Sequence, residues 1–243
     1  MSTDLIVKDQ SLISDYGTYI QYPLVIAHAS PELSPVSIAG HSGDLLTSNH
    51  RYPNITQTFN LYATTEAGYE TWSHLSLDIN QWLVSETYQP IYITSQNDWR
   101  WEGYLSQPAS FTPQNDFEAT ASISFNCKPF MKRLDGAEFK PIVSPVINTE
   151  QIFAEPTFHI IGNGDFVIEV NGQDYKLNGV DGEIFVDSEM QWIYKHSMNE
   201  NRSSLAEFPN NDFPILIPGE NTIALKSGTA SVFEFKPNWR KLA

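Results

Sequence analysis

The sequence contains a single cysteine, Cys127, so no disulfide can form within one chain and nothing requires an oxidising compartment. Long apolar runs are also missing, because the longest, residues 23–27 and 214–218, fall far short of the ~20 residues that a membrane helix needs. The first ten residues lack the basic start and apolar core of a signal peptide. These absences predict a protein that is synthesised in the cytoplasm of its producer and does not insert into a membrane.

Basic residues are scarce. There are 14 Lys and Arg against 29 Asp and Glu, which gives a net charge of −15 at pH 7. Divided after Pro141, the two halves carry 7 basic against 15 acidic residues and 7 against 14. Neither half is therefore a basic nucleic-acid module, and we expect no sequence-specific binding of nucleic acid. The composition, 41% hydrophobic and 13% aromatic, is sufficient for packed cores.

One stretch of the chain, residues 64–84, predicts a helix, with the helix proper at about 65–84. At 100° per residue, its apolar side chains fall within an arc of about 140°. They are Tyr69, Trp72, Leu75, Ile79, Trp82 and Leu83. A stripe with two tryptophans needs a broad apolar surface, which in this chain means a sheet. Thr64 or Thr65 is the expected N-cap, Gly68 weakens the first turns, and Leu77 lies off the stripe.

The rest of the first half predicts strands and loops. Residues 18–27 are expected to form an edge strand because Pro23 lies within them. Residues 31–46 hold two prolines and two glycines and predict a long loop. Residues 54–62 and 117–128 alternate between apolar and polar side chains, which predicts two strands that each have one buried face. Shorter strands are expected at 90–94 and 99–106.

The periodicity is lost between residues 131 and 150, where Pro141 and Pro145 lie. We therefore expect two domains, residues 1–140 and 141–243. The second has short strands between turn signals, a pattern typical of a β-sandwich. Among these signals are residues 162–165, expected as a turn, and Asn171-Gly172, expected as the turn of a hairpin. The predicted fold class is mainly β, with an N-terminal β-sandwich and one packed α-helix followed by a C-terminal β-sandwich.

Candidate catalytic patterns are weak. Gly162-Asn163-Gly164 opens like a dinucleotide fingerprint, but no third glycine follows and the next segment predicts a strand, so a turn is the favoured interpretation. Asp187 and Glu189 would lie about 6–7 Å apart on one side of a strand, within the range of glycosidase carboxylate pairs. Because a turn is expected at this point, solvated or turn-capping carboxylates are the favoured interpretation.

Metal and ligand signals are weak as well. The histidines never recur at ligand spacing and are expected on the surface or in loops; they are His28, His41, His50, His74, His159 and His196. Cys127 is expected on a buried face, where a thiol is inert. Four aromatic side chains would suit a sugar-binding platform, although strand aromatics more often belong to a core or an interface; they are Trp99, Trp101, Trp192 and Tyr194. We predict no catalytic, cofactor-binding or metal-binding residues, no cofactor and no enzymatic activity.

Taken together, several segments resemble the distal tail protein of long-tailed, non-contractile bacteriophages, and they occur in the same order over nearly the whole chain. They are residues 38–46 leading to Tyr52, the single amphipathic helix, residues 123–130, Glu155-Pro156, 162–165, 186–189, Phe213-Pro214, 218–223 and Trp239-Arg240. No single motif is specific, but their order and spacing together are fairly specific. His41 departs from the pattern, because the family loop often carries arginine at this position.

The resemblance implies a structural hub at the phage tail tip, or baseplate, in the virion. The first domain would form a homohexameric ring, and the second would be a galectin-like β-sandwich outside it. The ring would join the tail tube protein to a tail-associated hub or lysin protein and leave a channel for DNA. In some relatives the second domain carries a long arm that holds receptor-binding proteins. The loops here are short, so no such arm is expected, and the net charge of −15 suggests an acidic channel wall.

Two alternatives belong to other classes of function. A carbohydrate-binding module or adhesin would use the C-terminal β-sandwich, and glycan binding by residues 145–243 would favour it. An enzyme would use the carboxylates near Asp187, and loss of sugar release in Asp187→Asn would favour it. A native mass of six subunits would favour the ring.

Overall fold

The structure is a computed structural model that describes residues 3–243. The described residues fold into two compact units: residues 3–131 with 242–243, and residues 132–241. The predicted boundary at 140/141 therefore lies within the second unit. The last two residues belong to the first unit, where the Ala243 N–H donates to the carbonyl of Pro129 and the Ala243 carbonyl accepts from the N–H of Ala29.

The elements of residues 3–133 are β1 Leu5–Val7, β2 Gln10–Ser11, α1 Leu12–Tyr16, β3 Thr18–Ile20, β4 Leu33–Ser37, β5 Asp44–Ser48, β6 Ile55–Thr64, α2 Trp72–Leu83, β7 Gln89–Ile93, β8 Trp99–Pro113, β9 Glu118–Cys127 and β10 Phe130–Arg133. The elements that follow are β11 Lys140–Pro141, β12 Val146–Asn148, β13 Thr157–Val170, β14 Gln173–Asp187, β15 Trp192–Lys195, β16 Ser197–Asn201, β17 Ala206–Glu207, β18 Gly219–Asn221, β19 Ile223–Ser227, β20 Ala230–Lys236 and β21 Arg240–Leu242. Single 3-10 turns lie at Thr65–Ala67, Thr94–Gln96, Leu134–Gly136, Ser203–Leu205 and Pro209–Asn211.

The first unit is built on one large sheet with the strand order β2-β1-β7-β8-β9-β6-β3. Its centre is the pair β6 and β9, which runs antiparallel from Ile55 opposite Cys127 to Thr64 opposite Glu118. The predicted alternation is present, since every second side chain of both strands is buried. The ring of Phe59 on β6 packs edge to face against Trp101 on β8 and Phe125 on β9, with 6.5 and 6.1 Å between ring centres.

Gln57 is a polar side chain on the buried face of β6, and it is fully buried. Its amide nitrogen donates to the carbonyls of Val25 and Thr58 at 2.9 and 3.1 Å, and its amide oxygen accepts from the N–H of Ala27 at 2.8 Å. The bonds to Val25 and Ala27 satisfy the backbone of a segment that follows β3 and lies outside the strands. The predicted strand 18–27 is therefore too long, because β3 ends at Ile20 and the side chain of Gln57 supplies the pairing after it.

The helix predicted at 65–84 begins later than expected. The 3-10 turn Thr65–Ala67 ends at Gly68, whose φ of +95° favours glycine, and α2 begins only at Trp72. Its N-cap is Thr71 rather than Thr64 or Thr65, and the first helical N–H donates to the carbonyl of Asp116 at 3.2 Å. The stripe is otherwise present, because Leu75, Ile79, Trp82 and Leu83 are buried. A second helix, α1, was not predicted.

The polar side of α2 also contributes to packing. Asn80 accepts from the N–H of Ala109 at 2.6 Å and donates to its carbonyl at 3.2 Å. Two hydrogen bonds thus tie the helix to the backbone of β8. Asn80 lies outside the predicted apolar stripe, and periodicity alone gives no sign of such a contact.

The second unit is an eight-stranded sheet system with the order β11-β20-β13-β14-β15-β16, in which β17 pairs with β14 and β19 with β13. The predicted hairpin turn at Asn171-Gly172 is present, with φ of +51° and +79°, and it joins β13 to β14. The turn expected at residues 162–165 is wrong, because β13 runs through them with a bulge between Gly164 and Phe166. The bulge bends β13, so that its first half pairs with β20 and its second half with β19.

The predicted fold class, mainly β with a helix packed on the first sandwich and a second sandwich after it, is confirmed. Each unit has its own buried core; Phe59 and Trp101 belong to the first, and Phe158 and Phe166 to the second. Within residues 3–243, no helix is both long and apolar enough to cross a membrane.

Candidate functional site

The most unusual surface of the first unit is the hairpin of β4 and β5, which sequence reasoning took for part of a long loop. Every residue from Ser30 to Arg51 is exposed. Five apolar side chains of this segment are 46–62% exposed; they are Leu33, Val36, Ile38, Leu45 and Leu46. At the base of the hairpin, Arg51 forms an ion pair with Glu32 at 2.8 Å, and the N–H of Glu32 donates to the Arg51 carbonyl at 2.9 Å.

The register of the hairpin puts apolar side chains on both of its faces. Val36 lies opposite Leu45, and Pro35 lies opposite Leu46. Paired residues of antiparallel strands share a face and successive residues alternate, so the two pairs lie on opposite faces. A two-stranded hairpin is at best marginally stable alone in water. An arm that is apolar on both sides and uncovered is therefore suited to lie against another molecule.

A second exposed surface is the open face of the β6–β9 pair, which carries small polar side chains. They are Thr56, Thr58, Asn60, Tyr62, Thr120, Ser122, Ser124 and Asn126. The face also carries the carboxylate of Glu118, which accepts a hydrogen bond from the Tyr62 hydroxyl, and the hydroxyls of Thr58 and Ser124 are hydrogen bonded at 2.8 Å. A shallow groove on this face is lined by Asn60, Ser110 and their neighbours. Such a face lacks cations that would bind phosphate.

The third surface is an acidic groove between α1 and α2, lined by Asp15, Asp78, Tyr16, Tyr69 and Trp82. Ser11 caps α1 by accepting the Ser14 N–H at 2.8 Å, and Gly17 ends the helix in the left-handed conformation. Tyr16 thereby stacks on Trp82 of α2, with 4.7 Å between ring centres. Tyr69 lies before α2 and donates to Asp78.

The electrostatics of this groove are negative. Burial, a hydrogen bond to Asp78 and its charge raise the pKa of Tyr69 to about 12. Burial and the charges of Asp15 and Asp78 also raise the pKa of Tyr16. Both phenols therefore remain neutral at physiological pH, and the charge of the groove is that of its carboxylates.

In the second unit, two histidines, the buried His159 and the exposed His196, share one carboxylate. His159 on β13 contacts Glu234 through Nδ1 at 2.8 Å and Glu183 through Nε2 at 2.9 Å, and His196 contacts the other oxygen of Glu183 at 2.7 Å. The His159 ring also stacks on Phe185 at 4.3 Å. The expectation that every histidine lies on the surface or in a loop is thus wrong for His159. Its position between the apolar residues Phe158 and Ile160 was the available signal.

The residues singled out from the sequence do not form a catalytic site. Asp187 accepts the N–H of Met190 at 3.0 Å, which is a turn-capping contact, and burial raises its pKa. Glu189 forms an ion pair with Lys132. Burial raises the pKa of the Cys127 thiol to about 12, as expected for an inert core thiol. Across residues 3–243, no three His, Cys, Asp or Glu side chains are grouped to hold a metal ion.

The four aromatic side chains proposed as a sugar platform divide between the units. Trp101 is fully buried in the core of the first unit, and Trp99 packs against that core. Tyr194 stacks on Phe185 at 5.0 Å in the second unit, and the indole N–H of exposed Trp192 donates to the carbonyl of Met198. Trp99 and Trp101 are therefore core side chains, the alternative that the sequence left open.

Comparison with solved structures gives a match over nearly the whole chain. No family model matches the chain, and neither does any curated protein. Among solved structures, the crystal structure of the SPP1 Dit protein matches with a TM-score of 0.70 and 18% sequence identity, and the match covers 97% of each chain. That protein is described as a paradigm of the hub adsorption apparatus in phages that infect Gram-positive bacteria. At this identity the match shows that both units share the fold of that protein.

Proposed function

We propose that the chain is a structural subunit of a bacteriophage tail tip, a distal tail protein of the baseplate that forms a homohexameric ring. The shared fold over 97% of both chains supports a hub role of the kind described for the SPP1 protein. It agrees with the resemblance carried by the sequence motifs. The role is structural, without catalysis or a cofactor.

The observation that carries the assembly role is the exposed hairpin of β4 and β5. It contributes no side chain to the buried core of its own unit, yet it exposes apolar residues on two faces. In a ring, each hairpin would lie against the neighbouring copy and bury those faces there. A heterologous contact of this kind closes into a ring when the rotation between copies permits.

The ring would join the tail tube on one side and a tail-associated hub or lysin protein on the other, and leave a channel for DNA. The negative net charge of the chain supports a channel through which DNA passes without binding to the wall. Of the four Lys and Arg residues in the first 131 positions, Lys8 donates to two backbone carbonyls, Lys128 pairs with Glu102 and Arg51 pairs with Glu32. Few cations therefore remain to hold phosphates, and the channel wall would be neutral or acidic.

The second unit would lie outside the ring as a galectin-like β-sandwich. Its strands are joined mainly by short turns, such as Asn171-Gly172, so we expect no long arm for receptor-binding proteins. Any contact of the tail tip with such proteins would use other surfaces.

The test is the native mass of the purified chain, measured by light scattering, together with negative-stain images. A hexamer has a mass of 165 kDa, six times the 27.5 kDa of one chain, and should appear as a particle with a central hole. A mass of 27.5 kDa at every concentration up to the highest that is soluble would contradict the ring.

A further inference from the structure

The exposed segment of residues 30–51, which carries the hairpin of β4 and β5, begins after Ala29 and ends before Tyr52, both of which are partly buried. At the start of the segment, the N–H of Ala29 donates to the carbonyl of Ala243 at 2.9 Å. At its end, the ring of Tyr52 packs edge to face against Phe130, with 5.4 Å between ring centres. Both ends of the exposed segment are therefore held by residues that are far away in sequence.

Ala243 has further contacts that fix its own position. Its N–H donates to the carbonyl of Pro129 at 3.0 Å, next to the Phe130 that receives the Tyr52 ring. Its side chain belongs to the buried core of the first unit, and only 7% of its surface is exposed. Ala243 therefore connects the start of the exposed segment to Pro129 and Phe130, where the end of the segment is also supported.

The backbone that leads to the hairpin has a second support in Gln57, whose amide oxygen accepts the N–H of Ala27 at 2.8 Å. This bond lies two residues before Ala29, so the segment is held at two neighbouring points. The two supports come from different parts of the chain, because Gln57 lies on the central strand β6 whereas Ala243 follows the second unit in sequence. Loss of Ala243 would release Ala29 and leave Ala27 held.

The direction of the hairpin depends on its base. Within residues 3–243, β4 and β5 pair with each other and with no further strand, so no large sheet orients them. Every free residue at the base adds conformational entropy, which packing against another molecule must remove. We propose that residues 242–243 are a latch that fixes the base of the hairpin, and that assembly of copies depends on it. This inference rests on the proposed function, in which the hairpin joins neighbouring copies.

The test of the latch is amide hydrogen exchange of the full chain, read by mass spectrometry with fragmentation to single residues, at concentrations below the midpoint of assembly. The variant lacks Ala243 and thereby loses both hydrogen bonds of this residue. We expect the Ala29 amide to exchange about tenfold faster, because its backbone partner is gone. The Ala27 amide, which is still bound to Gln57, should exchange at the wild-type rate.

Two substitutions separate the hydrogen bonds of Ala243 from its buried methyl group. Ala243→Gly keeps both backbone bonds and removes the methyl group, so the Ala29 amide should exchange within about twofold of the wild-type rate. Ala243→Pro removes the N–H that donates to Pro129 and keeps the carbonyl that accepts from Ala29. It should raise the exchange rate of Ala29 about threefold, and it decides the question if the deletion prevents folding.

Light scattering over a dilution series connects the latch to assembly. The deletion of Ala243 should raise the midpoint concentration of assembly about tenfold, because part of the association free energy is then spent on ordering the base of the hairpin. Ala243→Gly, which keeps the bond to Ala29, should assemble at the wild-type midpoint.

Three outcomes would overturn the proposal. The first is an Ala29 amide that exchanges at the wild-type rate in the deletion variant. The second is equal acceleration at Ala27 and Ala29, which would show that Ala243 supports the whole first unit rather than the base of the hairpin. The third is an unchanged midpoint of assembly despite faster exchange at Ala29. A wild-type mass of 27.5 kDa at every concentration would contradict the ring and with it the dependence of assembly on the latch, whereas the exchange rates test the latch alone.

Discussion

Replacing Leu45 or Leu46 by aspartate tests the hairpin as the arm that joins neighbouring copies. Complete burial of a leucine side chain contributes about 1.5–3 kcal/mol. Leu45 and Leu46 are 54% and 62% exposed, so burying the remainder against a neighbour would contribute about half of that value, or about 1–2 kcal/mol each. An aspartate forfeits this gain and adds the cost of removing a carboxylate from water.

The effect multiplies in a closed ring. A loss of about 2 kcal/mol at each of six interfaces, spread over five association steps, raises the midpoint concentration of assembly roughly fiftyfold to a hundredfold. Light scattering over a dilution series measures this shift. Because Leu45 and Leu46 lie on opposite faces, the two single variants report on each face separately.

The control for charge is Val143→Asp, because Val143 lies in the second unit and is 77% exposed. This variant should leave the midpoint concentration of assembly unchanged. The melting temperature of the monomer should stay constant in all three variants, since none of these side chains belongs to a core. A ring that persists in both leucine variants at the wild-type midpoint would refute the assignment of the hairpin.

Three further predictions concern the fold. Gln57→Leu should lower the free energy of unfolding of the first unit by about 3 kcal/mol, because three partly buried backbone groups lose their partner; calorimetry measures this, and a loss below about 0.5 kcal/mol would contradict it. Gly228→Ala should cost about 3 kcal/mol in the second unit, because a Cβ there would lie 2.4 Å from the ring of Phe166 at a φ of +95°. Gly219→Ala, with a similar φ of +92° but open space, should cost only about 1 kcal/mol, and equal losses would show that the ring contact is irrelevant. The hydrogen bond with His196, together with that from His159, holds the pKa of Glu183 below its ordinary value. A lowered pKa stabilises the fold above the unfolded pKa and loses this contribution as the pH falls through the folded pKa, so Glu183→Gln should flatten the loss of stability below about pH 4.5; an unchanged acid denaturation curve would contradict this.

The sequence predicted the elements whose signals are local. The alternation of β6 and β9 and the Asn171-Gly172 turn are set by side-chain direction and by backbone conformation at φ above zero, and both depend on neighbours in sequence. The apolar stripe of α2 was predicted for the same reason. The predicted first turns of α2 are absent, because Gly68 ends a separate 3-10 turn. The helix begins later, where the Trp72 N–H donates to the carbonyl of Asp116.

The structural features that the sequence did not predict depend on contacts between residues that are far apart in sequence. β3 ends early because Gln57, more than 30 residues later, bonds to the backbone that follows it. His159 is buried because Glu183 and Glu234 come to it from two other strands. Of the acidic groove, only Tyr69 and Trp82 were noted, as members of the helix stripe. Asp15 and Tyr16 reach it through α1, a helix too short to give a periodic signal.

The hairpin of β4 and β5 was not predicted, although alternation predicted β6 and β9. Predicting a strand from alternation assumes that one face is buried by the same chain, and here Pro35, Val36, Leu45 and Leu46 place apolar side chains on both faces with none of them buried. In contrast, Asn221, a buried polar side chain of the second unit, finds its partners within that unit, where it bonds to Ile217 and Asn171. Apolar side chains that are exposed on both faces within one chain are explained if another subunit covers them. The exposed apolar faces of this hairpin therefore support the proposal that copies of the chain assemble through the first unit.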